Sequence, residues 1–129
     1  MIDMYQEELL DHYKNPRNFG TLSNFDIKFH DTNPLCGDEL TVTVKVKNNK
    51  IQDVNFESKG CAISVAASSK LSEQLKNKSL QEVLKLDNKF VLDLIGVPIS
   101  PIRLKCALLS LKALKKGICV HLGQELEES

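Results

Sequence analysis

Apolar residues recur at about every second position through the stretch from Ile27 to Phe56 and at every third or fourth position from Ala62 onward. Ile27 and Phe29 share one face of a short run from Asp26 to Asp31, and Leu40, Val42, Val44 and Val46 alternate with Thr and Lys. Lys47-Asn48-Asn49-Lys50 then reads as a turn, because Asn tolerates positive φ, and Ile51, Val54 and Phe56 lead on toward Gly60. These runs predict a meander of three antiparallel strands.

Ahead of the strands, Met4, Leu9, Leu10 and Tyr13 predict a short helix over 4–14, ended by Asn15-Pro16. Behind them, Ala62, Ile63, Val65, Ala66, Ala67, Leu71 and Leu75 have helical spacing as far as Lys76. Ser79 with Glu82 forms a capping-box signature for a short helix over 79–85, and one further turn is expected over 90–95. Ser100-Pro101 opens a last helix, along which Leu104, Leu108, Leu111 and Leu114 recur toward Gly117. One helix, three strands and then helices define an α+β class, with the helices covering one face of the sheet.

A length of 129 residues, 42% of them hydrophobic, suits one core, so a single domain over 1–129 is expected. The 17 Lys and Arg balance the 17 Asp and Glu, which argues against nucleic acid and anionic membrane as partners. No apolar run approaches the roughly 20 residues that span a bilayer. The start, MIDMYQEELL, carries acids where a secretory signal carries basic residues, so a cytoplasmic location is expected.

In a reducing compartment the four cysteines read as metal ligands or reactive thiols rather than as disulfides. Cys36 lies in the turn-rich segment Asn33-Pro34-Leu35-Cys36-Gly37-Asp38, with Asp38 two residues on. Cys61 follows Gly60 at a helix start, where free N–H groups and the macrodipole favour a thiolate. Cys106 occupies the first turns of the last helix, near Arg103 and Lys105. Three thiols and a carboxylate brought together by the fold would suit tetrahedral zinc or iron, and the oxygen donor would hold more loosely than sulfur. Cys119 lies well along the same helix, roughly 20 Å of rise beyond Cys106, and reads as core or surface filler. Of His12, His30 and His121, none adjoins a cysteine motif, and only His30 precedes Cys36 closely enough to stay a candidate. Ser64, Ser68 and Ser69 read as small residues that allow close helix packing.

At these motifs the chain resembles the iron–sulfur cluster assembly proteins of the IscU, SufU and NifU N-terminal type. The opening helix with its Asn15-Pro16-Arg17-Asn18 turn looks like the start of that family. Asn33-Pro34-Leu35-Cys36-Gly37-Asp38, Gly60-Cys61-Ala62-Ile63-Ser64 and Arg103-Leu104-Lys105-Cys106-Ala107 look like its three cysteine motifs in order. The resemblance implies that Cys36, Cys61 and Cys106 bind a transient iron–sulfur cluster or Zn2+, and that Asp38 tunes cluster lability. It also implies a cysteine desulfurase as sulfur donor and apo iron–sulfur proteins as recipients.

Position 105 is Lys, where the IscU branch carries a histidine and the SufU branch does not. Val97-Pro98-Ile99-Ser100-Pro101-Ile102-Arg103 replaces the segment read by the dedicated Hsp70 chaperone of IscU systems, which argues against that partner. The interval between Cys61 and Cys106 is too short for the insertion that SufU proteins carry, so the chain looks intermediate between the branches. The expected function is a scaffold that accepts sulfur, builds a [2Fe-2S] cluster and passes it on. The alternatives are a zinc-dependent persulfide sulfurtransferase with Cys36 as acceptor, which would make the protein an enzyme, and an inert structural zinc domain.

Overall fold

The computed structural model describes residues 4–34 and 37–123. They form α1 (Met4–Lys14), β1 (Ile27–Asn33), β2 (Asp38–Lys47), β3 (Lys50–Lys59), α2 (Ala62–Ser72), α3 (Leu80–Leu84), α4 (Asn88–Ile95) and α5 (Pro101–His121). The strands make one antiparallel sheet in the order β1-β2-β3. Helices α2 and α5 pack on that sheet, and α1 packs on α2. This is the α+β architecture that the change of periodicity predicts. Among the described residues, no helix is long and apolar enough to cross a membrane.

Alternation along β2 decides which side chains face the helices. Leu40, Val42 and Val44 are buried and join Ile27, Phe56, Ala67, Leu71, Ala107, Leu111 and Leu114 in one cluster. Each of the Val, Leu, Ile and Phe side chains among them contributes roughly 1.5–3 kcal/mol by leaving water. The hairpin between β2 and β3 turns on Asn48 and Asn49, whose φ values of 54 and 61 are those a two-residue type I′ turn requires. Ile51 and Val54 are three positions apart, yet both are buried. A register shift opposite Lys45 and Val46 accounts for this, since Lys45 pairs with Asp53 and Val46 with Ile51, leaving Gln52 as the extra residue of a bulge.

The helix ends depart from the sequence expectations in three places. Helix α2 stops at Ser72 rather than Lys76. Beyond it Asn77 adopts φ 71, its N–H donates to the Ile51 carbonyl at 2.9 Å, and the Ile51 N–H donates to the Lys78 carbonyl at 2.9 Å. Pairing with the start of β3 thus takes the backbone out of the helix, although Leu75 remains in the core. Helix α5 runs through Gly117 to His121. A Cβ at Gly117 would stand 3.0 Å from Ile27 Cγ2 and 3.1 Å from Phe29 Cβ, so the glycine admits β1 against the helix and does not end it. Ser100 has the extended N-cap backbone but makes no side-chain capping bond. By contrast, the capping box of α3 is present, with Ser79 and Glu82 bonded reciprocally at 3.1 and 2.8 Å.

Candidate metal centre

Asp38 opens β2 on the same face as Leu40 and Val42, so the period of two directs its carboxylate toward the helices, and it is buried. Its register partner across the hairpin is Asn33, the last residue of β1. Cys36 and Leu35 lie between these two and fall outside the described residues.

Strand β3 reaches α2 through Gly60, whose φ is +152. A Cβ there would fall 2.0 Å from Asp38 Oδ1, so only glycine allows the two segments to approach this closely. Cys61 is the N-cap of α2, with extended backbone and no capping bond from its own side chain. A carboxylate from another strand reaches this helix start instead, at the N–H of Cys61 itself. Asp38 Oδ1 accepts the Cys61 N–H at 3.0 Å, placing a carboxylate at the positive end of the helix. The Cys61 thiol lies 3.9 Å from Asp38 Oδ2.

Cys106 is buried near the start of α5, where the Asn33 side-chain N–H donates to its sulfur at 3.9 Å. One ligand atom each from Asp38, Cys61 and Cys106 lies within 4.8 Å of the others. Sulfur ligands of a tetrahedral zinc ion stand roughly 3.8 Å apart, so the three atoms are gathered to within about 1 Å of ligand spacing. Two thiols and a carboxylate fit zinc, Fe(II) or an iron–sulfur cluster by donor type. Cys61 is half-buried, whereas Asp38 and Cys106 are buried.

Other candidates stand elsewhere. His30 is exposed on β1, bonded to Thr41 at 2.9 Å and 3.6 Å from Glu39. Cys119 is buried farther along α5 and does not join the group. Lys105 and Arg103 are exposed, and Lys105 lines a cavity of about 480 Å³ together with Asn33, Asn88, Leu108 and Lys112.

Ser69 and Ser72 of α2 do more than permit close packing. Ser69 Oγ bonds His12 Nδ1 at 2.7 Å and accepts the Arg17 N–H at 2.8 Å, and Ser72 Oγ bonds the Asn18 amide at 3.0 Å. The Asn15-Pro16-Arg17-Asn18 turn is therefore the seam that ties α1 to α2. His12 is buried there, and desolvation, helped by the charge of Arg17, pushes its pKa down despite Glu73 nearby.

Two residues of the centre escape a reading of the sequence. Asn33 heads the first cysteine motif but carries no ligand signature, and its reach to Cys106 shows only in the fold. Gly60 adjoins Cys61 visibly, but its clearance from Asp38 depends on a strand that lies far back along the chain.

A small α+β protein with a buried thiol–carboxylate cluster at the joint of sheet and helices is the class that this fold and site define. Residues 4–128 match the NifU-like N terminal domain, and the chain belongs to that family. It is 36% identical to the zinc-dependent sulfurtransferase SufU of Bacillus subtilis, over 93% of this chain and 92% of SufU. With the iron–sulfur cluster assembly scaffold protein IscU of Aquifex aeolicus it shares 38% identity, over 94% of this chain and 78% of IscU. The crystal structure of FiSufU from Fervidobacterium islandicum AW-1, described as a candidate iron–sulfur cluster assembly scaffold for the SUF system, superposes with a TM-score of 0.75. It shares 30% identity and covers 87% of this chain and 94% of FiSufU. About 120 residues of this chain (93% of 129) align with the Bacillus SufU over 137 positions, so about 17 SufU residues inside the alignment have no counterpart here.

Proposed function

We propose that this protein is an iron–sulfur cluster assembly scaffold, which receives sulfur from a cysteine desulfurase, holds a nascent [2Fe-2S] cluster and passes it to apo-proteins. The convergence of Asp38, Cys61 and Cys106 in a chain of this family carries the reading. Cys36 is the third thiolate, supplied from the hairpin between β1 and β2. The cluster is cargo in this reading, so one oxygen ligand beside three sulfurs favours release, because carboxylate binds these soft metals more weakly than thiolate.

Anaerobic incubation with Fe(II), cysteine and a desulfurase is expected to give a visible absorption band and then cluster transfer to an apo-ferredoxin. A chain that stays colourless but stimulates the desulfurase only when zinc-loaded would overturn the scaffold reading.

The second reading, zinc-dependent sulfur transfer, draws its support from the identity with SufU and from Lys at position 105. There the Cys36 thiolate attacks the terminal sulfur of the desulfurase persulfide. A new S–S bond forms at Cys36, the old one breaks, and the desulfurase cysteine leaves as a thiolate without any external oxidant. Cys36→Ser then loses sulfur acceptance while retaining much of the zinc affinity, whereas Cys61→Ser weakens zinc binding first. A Cys36→Ser protein that still accepts persulfide would exclude this route.

A further inference from the structure

We propose that Asn33 is a positioning residue of the metal centre, whose side-chain amide donates to Cys106 Sγ and thereby sets the orientation and donor strength of that ligand. The proposal rests on Asp38, Cys61 and Cys106 being metal ligands. Its own ground is separate and lies in where Asn33 sits.

Asn33 is buried at the end of β1, although an asparagine beside a turn usually stands in water. Burial of its amide would be costly without partners, and Nδ2 finds the Cys106 sulfur at 3.9 Å. In the sheet register Asn33 faces Asp38, so one pair of strand residues reaches two members of the group, one as a ligand and one through a hydrogen bond. Two elements are tied by this contact, since Asn33 belongs to β1 and Cys106 to α5. Outer groups that hydrogen-bond a metal ligand fix its direction and tune its electron donation. An N–H pointed at a thiolate withdraws electron density from sulfur and lowers the energy of its lone pairs, which moves sulfur-to-metal charge transfer to shorter wavelength.

Co(II) is a suitable probe, because its thiolate charge-transfer bands report on sulfur directly and need no cluster assembly or turnover. In Asn33→Leu, which keeps the branching at Cγ and removes the donor, the charge-transfer band is expected at longer wavelength than in the unaltered protein. Co(II) affinity is expected to fall roughly tenfold. Should the leucine variant fail to fold, Asn33→Ser gives the same readout, as its hydroxyl ends too short to reach the sulfur. A lowered affinity with an unshifted band would mean that Asn33 only packs the site, and would overturn the proposal. If the unaltered protein takes up Co(II) without any thiolate band, the ligand assignment itself fails and this role with it. Identical bands and affinities in the variants and the unaltered protein would sink the role of Asn33 alone.

Discussion

The two ends of α2 bury polar groups in opposite ways. Toward its C-terminus, Ser69, Lys70 and Ser72 are buried but matched by partners from α1 and the following turn: His12, Arg17, Glu8 and Asn18. Lys70 in turn holds the Glu8 carboxyl below its usual range through their hydrogen bond. At the N-terminus, Asp38, Cys61 and Cys106 converge with one carboxylate oxygen engaged by the Cys61 N–H and with sulfur, a weak hydrogen-bonding element, as the other two members. Polar groups that satisfy one another act as a clasp. Thiol and carboxylate donors gathered at one point are the donor set that zinc or iron takes.

Gly60→Ala is the largest expected disruption of this contrast. The added methyl meets Asp38 Oδ1 at a backbone angle that alanine avoids, at a cost of roughly 3 kcal/mol in chemical denaturation. With Asp38 as a ligand in the proposed reading, Zn2+ affinity should fall with it. Equal metal binding in the variant would show that the Asp38 carboxylate is not held where the structure has it.

Ser69→Ala probes the other end. It leaves His12 Nδ1 and the Arg17 N–H without their shared partner and should cost about 2 kcal/mol, while metal affinity measured by competition stays unchanged. A matching loss of metal affinity would mean that the two ends of the helix are coupled, against the separation drawn above.

The smallest effect is in pH dependence. His12 has a folded pKa below the 6.5 of a free histidine, so the unfolded chain binds the proton more readily. Stability from its neutral form is complete above about pH 6.5 and is lost as pH falls through the lower folded value, with a slope of at most about 1.4 kcal/mol per pH unit. Denaturation midpoints of His12→Gln should lack this slope between pH 5 and 6.5, roughly where only histidine titrates. An unchanged slope would place the titration elsewhere.

Much of the architecture was legible in the chain before any coordinates. The alternation of Leu40, Val42 and Val44, the Asn48-Asn49 turn, the Ser79–Glu82 capping box and the helical leucines of α5 are all local signals, written over a few neighbouring residues. Gly117 misled because a glycine reads as a helix end from local rules, whereas Ile27 and Phe29 of a remote strand are what require it. Leu10 and Tyr13 count toward the apolar positions that predict α1, yet both are exposed, and it is His12 of the same helix that is buried. The packing of α1 on the serines of α2 decides this, and no periodicity within α1 reports it.

Cysteine motifs in order, with Asp38 beside Cys36, were enough to nominate the ligands and the family. Convergence of Asp38, Cys61 and Cys106, the tertiary cap that Asp38 provides to α2, the clearance at Gly60 and the reach of Asn33 to Cys106 belong to the fold alone. Local conformation is governed by neighbours along the backbone and repeats with their period, so it can be read in one dimension. The centre joins β1, β2, α2 and α5, whose approach depends on side-chain volumes packed between segments far apart in the chain, and only the folded arrangement carries that information.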